Sequence, residues 1–416
     1  MQVLTLGPVT PTATGTVQNM TAARTSVIWG PEFTRYNFGP SHPMAPIRLE
    51  LTARLSQALG LFDHVTVIDP EVASDEQLER LHDPAYVAAV RQFSLNPVGS
   101  DPERGLGTDD VPVFAGMHEA SARIVGGSMA LADAILSGDA EHGVNFTGGL
   151  HHAMPAKADG FCIYNDAALA IQRLLDNGVE RVAYIDVDVH HGDGVERMFW
   201  DEPRVLTASV HQSGRTLFPG TGWPRDIGGE HARGTAVNIA LPPGTRDSQW
   251  LRAINSAIIP VVQAFDPQVI VSQHGADSHI DDPLAHLAIS LDAHRYAMDT
   301  IHRLSHQLTD GKWIALGGGG YEVVSVVPLS WSHLIGVAAH HPVPLTTPVP
   351  EEWRIAVKEL TGREAPTRMG DLDPNDGPIW VQPWEMGYNP HSDVDRAIMA
   401  TREAVFPLHG LDVWFT

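Results

Sequence analysis

The stretch YIDVDVHHGDGVE, residues 184–196, places Asp186, Asp188, His190, His191 and Asp193 directly behind an apolar run. Carboxylates at the edge of a core need either solvent or a positive partner. In an extended segment alternate side chains share a face, so Asp186, Asp188 and His190 point one way and Val187 and Val189 the other. A divalent cation is the partner that keeps such acids ionised; the competing reading is a strand end with solvated acids. Asp277, in QHGADSHIDDP, follows another apolar run and completes a set of one histidine and two carboxylates with Asp188 and His190. Three protein ligands leave a coordination position open, as a catalytic metal requires. Nitrogen and oxygen donors suit Zn²⁺ and equally Fe²⁺ or Mn²⁺.

His151 and His152 end the stretch GVNFTGGLHH. Adjacent loop histidines are usually polar surface. Beside a metal, one neutral imidazole can take a proton from water while the other assists the leaving group. Each needs a carboxylate to fix its tautomer, and Asp186 and Asp193 are the acids left over. GGGGY, residues 317–321, lacks the Lys-Ser/Thr of a phosphate loop. Four glycines instead let backbone approach the site and bring Tyr321 inward, as an oxyanion donor or as a packed aromatic.

These residues need a frame. Short β-branched runs (SVIW, VTVI, GVNFT, RVAYIDVDV, RVLTASV, TAVNIAL, QVIVSQ, KWIALG) alternate with helical patterns. Continuous apolar strands between helices predict an α/β fold: a single-domain parallel sheet of about eight strands, with helices on both faces. In DAALAIQRLLDNG, Ala168, Ile171, Leu174 and Leu175 share a face, with Asp166 as the expected cap and Gly178 as the stop. Ligands bind beyond the carboxyl ends of such strands, which is where the HH, DVDVHHGD, HGADSH and GGGGY segments fall. The expected organisation is a flexible lead-in over 1–22, a catalytic domain over 23–340 and a Pro- and Trp-rich extension over 341–416 packed on it.

Composition narrows the function. Cys162 is the only cysteine, which excludes an intramolecular disulfide and suits a reducing cytoplasm. The net charge of −23 argues against direct nucleic-acid binding and tolerates a cationic substrate. No run has transmembrane length, so no membrane association is expected, and the N-terminus lacks the basic and apolar regions of a signal peptide.

YNFGPSHPMAPIRLELT, TGGLHHAMPAKADGFCIYND, YIDVDVHHGDGVE, FPGTG, QHGADSHIDDPLAHL and LGGGGY, in this order from Tyr36 to His333, closely resemble the zinc-dependent histone deacetylase family. The resemblance implies an arginase/deacetylase-like fold and hydrolysis of N-ε-acyl-lysine amides, with Zn²⁺, or Fe²⁺, held by Asp188, His190 and Asp277. It implies His152 as general base backed by Asp193, His151 as its partner backed by Asp186, and Tyr321 polarising the amide carbonyl. Gly160, Phe161 and Phe218 match positions lining the tunnel for the lysine methylenes, and Asp110 matches the acid at its rim. Ser209 with the carbonyls of Asp186, Asp188, His190 and Val210 matches a structural K⁺ site; Arg48 and His42 match an acetate-release region. Cys162 becomes a buried neighbour and not a nucleophile.

His279 and the DDPLAHL run resemble the bacterial acetoin-utilization branch, which implies acetylated protein substrates such as acetyl-CoA synthetase. His274 departs from many eukaryotic members. Three rivals stand beside this reading. An acetylpolyamine deacetylase would share the tunnel. A ureohydrolase of the arginase type would need Asp186 and Asp193 as ligands of a second metal. A non-enzymatic acyl sensor would have lost a ligand, a histidine or the tyrosine, and none is missing.

Overall fold

Each of the eight apolar runs forms a strand in the computed structural model, which describes residues 24–415. They are β1 Thr25–Ile28, β2 Thr66–Ile68, β3 His142–Asn145, β4 Val182–Asp186, β5 Val205–Gln212, β6 Ala236–Leu241, β7 Val269–Gln273 and β8 Trp313–Leu316. They form one sheet in the order β2-β1-β3-β8-β7-β4-β5-β6. Every pairing is parallel. Parallel strands must be joined by crossovers, and the helices of those crossovers cover both faces, so β3 through β8 are buried almost residue for residue. This is the single α/β sheet expected from the sequence. The lead-in expected over residues 1–22 lies outside the described residues.

The strand order sets the function. β3, β8, β7 and β4 are consecutive neighbours, although they are far apart in the chain. Their carboxyl ends therefore form one continuous edge, and all four candidate segments leave from it.

The helix Asp166–Asp176 shows how local sequence and tertiary need compete. Ala168, Ile171, Leu174 and Leu175 are buried, as their spacing predicts; each aliphatic side chain of Leu or Ile size contributes up to about 1.5–3 kcal/mol by burial. Gly178, with φ +92°, takes the left-handed conformation just after the last turn. The cap differs from expectation. Asn165 accepts the Ala168 N–H at 3.0 Å, while Asp166 turns beneath the preceding loop and accepts from Ser128 Oγ and from the Gly149 and Leu150 N–H groups. An acid at the first helical position was free to do so because its neighbour caps.

Residues 341–415 pack on the same body. Trp353, in the helix Glu351–Thr361, donates to the Leu51 carbonyl at 2.9 Å. Thr401, in the helix Asp393–Val405, donates to Asn238 O at 2.5 Å, and Arg252 pairs with Asp395 at 3.1 Å. Among the described residues no helix is long and apolar enough to cross a membrane.

Candidate active site

β4 ends at Asp186, and residues 188–190 bend instead of continuing the strand. The alternation predicted through Asp186, Asp188 and His190 is replaced by two tight side-chain turns: the Asp188 N–H donates to Asp186 Oδ1 at 3.1 Å, and the His190 N–H to Asp188 Oδ1 at 2.9 Å. Aspartates readily accept from backbone two residues on, which is how this run leaves strand geometry. Asp186 consequently sits a layer behind Asp188 and His190.

The bend aims Asp188 and His190 at Asp277. His190 Nδ1 lies 3.1 Å from Asp188 Oδ1 and 3.1 Å from Asp277 Oδ2, and the three donor atoms converge as a metal-sized cluster. Both carboxylates are fully buried. Burial raises the Asp277 carboxyl, and the neighbouring Asp188 charge raises it further. Burial acts on Asp188 in the same sense but is outweighed by His151 and His190, which hold it well below the usual range. Two buried acids crowding one imidazole, with no lysine or arginine between them, fit a divalent cation with N/O donors. Gln273 Nε2 donates to Asp188 Oδ2 at 2.7 Å, and Val189 N–H to Asp277 Oδ1 at 3.1 Å, fixing both acids.

The glycines make room for this cluster. A Cβ on Gly319 would lie 1.9 Å from Asp277 Oδ2, and one on Gly275 the same distance from Asp188 Oδ2. The Gly319 N–H donates to Asp188 at 3.0 Å. Beyond this loop Tyr321 is held by its own N–H, which donates to Asp282 Oδ2 at 2.8 Å. Burial first, and then the charges of Asp277 and Asp188, keep the Tyr321 phenol protonated far above neutral pH. It is a hydrogen-bond donor throughout the physiological range.

The histidine pair is reached from β3 through the turn that Asp166 ties down. His152 Nδ1 lies 2.6 Å from Asp193 Oδ1 and His151 Nδ1 2.7 Å from Asp186 Oδ2, while the two Nε2 atoms face each other at 3.0 Å. Tyr184 donates to the same Asp186 oxygen at 2.8 Å. Burial disfavours charge on both rings, but their surroundings split them. For His151 the carboxylates of Asp186, Asp188 and Asp193 outweigh burial and push it up to about 9. For His152 burial and the neighbouring His151 charge win, and it falls to about 4. The surroundings thus favour the cationic form of His151 and the free base of His152. Asp186 and Asp193 both lie against imidazole Nδ1 atoms and stand outside the metal-sized cluster, so among the described residues they serve the histidine pair and are not gathered as the ligands of an arginase-type second metal.

A narrow cavity brings His151, His152, Asp188, His190, Asp277 and Tyr321 together with Gly160 and Met44. Gly160, at φ +51°, lies flat on His152; a Cβ there would come 2.4 Å from the ring. The Phe161 ring is 5.6 Å from Tyr321, and Phe218, which is 42% exposed, is 5.0 Å from His152. Asp110 is raised by burial and by Asp159, an effect partly offset by the backbone N–H groups of Gly160 and Phe161. His42 joins this outer group: its Nε2 lies 3.2 Å from the Asp110 carbonyl and its ring 4.6 Å from Phe161. Arg48 alone is inside, buried beneath the glycine loop, donating to the Gly318 and Gly320 carbonyls at 2.9 and 3.2 Å. The two residues grouped by the sequence reading therefore occupy different layers. Ser209 pairs in register with Asp186, and its Oγ lies 2.8 Å from His211 Nδ1; Val210 follows in the same buried strand. Cys162 is buried and its thiol is raised by burial, which makes it a poor nucleophile.

Three supports escaped the sequence reading. Gln273 stands in the quoted QHGAD motif, but an amide beside metal ligands carries no distinctive signal. Asp166 reads in the sequence as a helix cap, and nothing local points to its bonds with Gly149 and Leu150. Asp371, from the extension, accepts from His279 at 2.7 Å and from the Leu291 N–H at 3.1 Å, bracing the loop that follows Asp277; no local pattern announces so distant a partner.

The histone deacetylase domain matches residues 42–338. The chain is 42% identical over 323 residues to the acetoin utilization protein AcuC of Bacillus subtilis (strain 168), covering 76% of this chain and 84% of that protein. It is 38% identical over 349 residues to the AcuC of Staphylococcus xylosus, covering 83% and 90%. A match running from the residues of the outer group to the end of the helix behind the glycine loop takes in every strand from β2 to β8, and on that ground the chain belongs to the histone deacetylase family.

Proposed function

We propose that this deacetylase removes acetyl groups from N-ε-acetyl-lysine side chains of proteins, with a zinc-class divalent ion at Asp188, His190 and Asp277. The observation that carries the reading is the placement of His151 and His152, each backed by its own carboxylate, with facing Nε2 atoms beside a three-ligand cluster. When bound there, the ion supplies Lewis acidity toward the acyl carbonyl and eases deprotonation of water. His152, neutral and oriented by Asp193, takes the proton of the attacking water at Nε2. His151, cationic and oriented by Asp186, delivers a proton to the departing amine. Tyr321 donates its phenolic hydrogen bond to the oxyanion. Phe161, Phe218 and Gly160 guide the methylenes inward, and Ser209 with the carbonyls of Asp186, Asp188, His190 and Val210 would hold a K⁺ that stiffens the bend. Arg48 lies on the inner side, where acetate leaves.

The rim decides between protein and polyamine substrates. Asp110 offers a carboxylate to the backbone amides flanking an acetyl-lysine, groups that an acetylpolyamine lacks. Acetyl-CoA synthetase is the protein substrate to test first, in a cytoplasmic setting. The experiment compares acetyl-lysine peptides with acetylputrescine and acetylspermidine, using wild type and Asp110→Ala. Loss of a charge-assisted hydrogen bond lowers kcat/KM for peptides by roughly 10–100-fold and leaves a small acetamide nearly unchanged. Polyamine turnover well above every peptide, with peptides indifferent to Asp110→Ala, would refute the protein-substrate reading.

A further inference from the structure

At the opposite end of the sheet four histidines meet that the chemistry above does not use. His142 begins β3, His302 and His306 lie one turn apart on the helix Leu291–Leu308, and His340 follows the helix Val327–Ala338. Their Nε2 atoms converge. His142 Nε2 lies 3.1 Å from His302 Nε2, 3.2 Å from His306 Nε2 and 3.1 Å from His340 Nε2, and His302 and His306 are 3.1 Å apart.

Hydrogen bonding does not account for this arrangement. A neutral imidazole nitrogen carries either one hydrogen or one lone pair, so His142 Nε2 can serve one neighbour well but faces three. Protonating the rings to supply donors would oppose like charges at contact distance. A cation at the centre satisfies all four lone pairs together. Tetrahedral zinc with Zn–N bonds of about 2.0–2.1 Å spaces its nitrogens about 3.3–3.4 Å apart, close to the separations found.

The backbone is arranged for the same end. The helix Val327–Ala338 closes with the His340 N–H on Val337 O at 3.1 Å and the His341 N–H on Gly336 O at 2.9 Å, a stop that normally places glycine in the left-handed position. Here His340 occupies it, at φ +54°, and its ring is thereby brought to the cluster. Gly311, at φ +84°, lies under the rings; a Cβ there would come 3.2 Å from His306 Cε1 and 3.4 Å from His142 Cε1. His142 is buried, while His306 and His340 are exposed, so an ion reaches the centre from solvent.

We propose that His142, His302, His306 and His340 form a second metal site, which takes a divalent cation of the zinc class in closed, all-imidazole coordination. Having four protein ligands and no acid, the site is structural: it ties two helices to the first residue of β3.

The test uses the full chain, stripped with chelator and dialysed against buffered zinc, with metal counted by mass spectrometry. Wild type is expected to hold two equivalents. Asp188→Asn should hold one, and its cobalt-substituted form should show the visible bands of tetrahedral Co²⁺ with nitrogen ligands only. His306→Gln, at an exposed position, should lose one equivalent, lose the zinc-dependent rise in Tm of several degrees and keep deacetylation. The inference is overturned if Asp188→Asn binds no metal, or if His306→Gln, folded by circular dichroism, still holds two equivalents. Because Asp188→Asn isolates the histidine cluster, this outcome stands whether or not the proposed substrate is correct.

Discussion

β3 runs from His142, among four imidazoles, to Asn145, beyond which the chain turns through Gly148 and Gly149 into His151 and His152. The two ends of one short strand thus carry histidine clusters of opposite character. At the carboxyl end the rings are interleaved with acids, and Asp186, Asp188 and Asp193 outweigh burial to bring His151 up to about 9 while His152 drops to about 4. At the amino end no carboxylate joins the ligand set. Burial and neighbouring imidazoles take His142 and His302 down to about 3. Carboxylates divide histidines into acids and bases that move protons. Without them, the imidazoles have no proton partner and offer lone pairs to a cation. The same residue type does chemistry at one end and fastening at the other because of the acids beside it.

The largest effect separates the ends outright. Asp188→Asn keeps the shape of the side chain but removes the charge that faces His190 and Asp277. Several kcal/mol of transition-state stabilisation then go, and kcat should fall by roughly 10³-fold or more. Steady-state assays with an acetyl-lysine peptide check this. Substantial residual turnover in a verified metal-free sample would mean that the three-ligand cluster is not the seat of the chemistry.

Tyr321→Phe comes next. It deletes one donor and keeps the ring that packs against Phe161. If the phenol stabilises the oxyanion, kcat drops by roughly 10²–10³-fold with little change in KM. If Tyr321 is only packing, kcat stays put, and the catalytic end would have to work without an oxyanion donor from the protein.

How far each end was legible in the sequence follows from the same contrast. Buried parallel strands are continuous apolar runs, so the sheet could be read directly, and acids at strand ends stand out against them. Asp188, His190, Asp277 and the His151–His152 pair were visible for that reason. The division of labour among them was less so. Asp186 looked equivalent to Asp188 until the bend at 188–190 put it behind His151, because side-chain turns override strand alternation. Asp166 looked like a cap because its own task, holding Gly149 and Leu150, lies across the fold. The amino-end cluster went unread although His302 and His306 have chelating spacing on one helix. His142 and His340 join them only through sheet and helix packing, and a lone histidine carries no mark of its partners.

The smallest effect probes the interleaving of acids and imidazoles itself. His152 is depressed first by burial and then by the charge of His151 across 3.0 Å. His151→Asn keeps a polar side chain of similar reach toward Asp186 but removes that charge. The protonated form of His152 is then less disfavoured, so its pKa rises. Because His152 must be neutral to accept the proton of water, the acid limb of the kcat/KM profile moves to higher pH, by roughly one unit. At pH 8, above the shifted limb, His151→Asn should retain more activity than His152→Ala, which lacks the base at any pH. The measurement is a pair of pH–rate profiles on one peptide. An acid limb that stays in place, or moves down, would show that His151 does not set the protonation of its neighbour. A greater loss in His151→Asn than in His152→Ala would exchange the roles of the two rings, leaving Asp186, and not Asp193, behind the base.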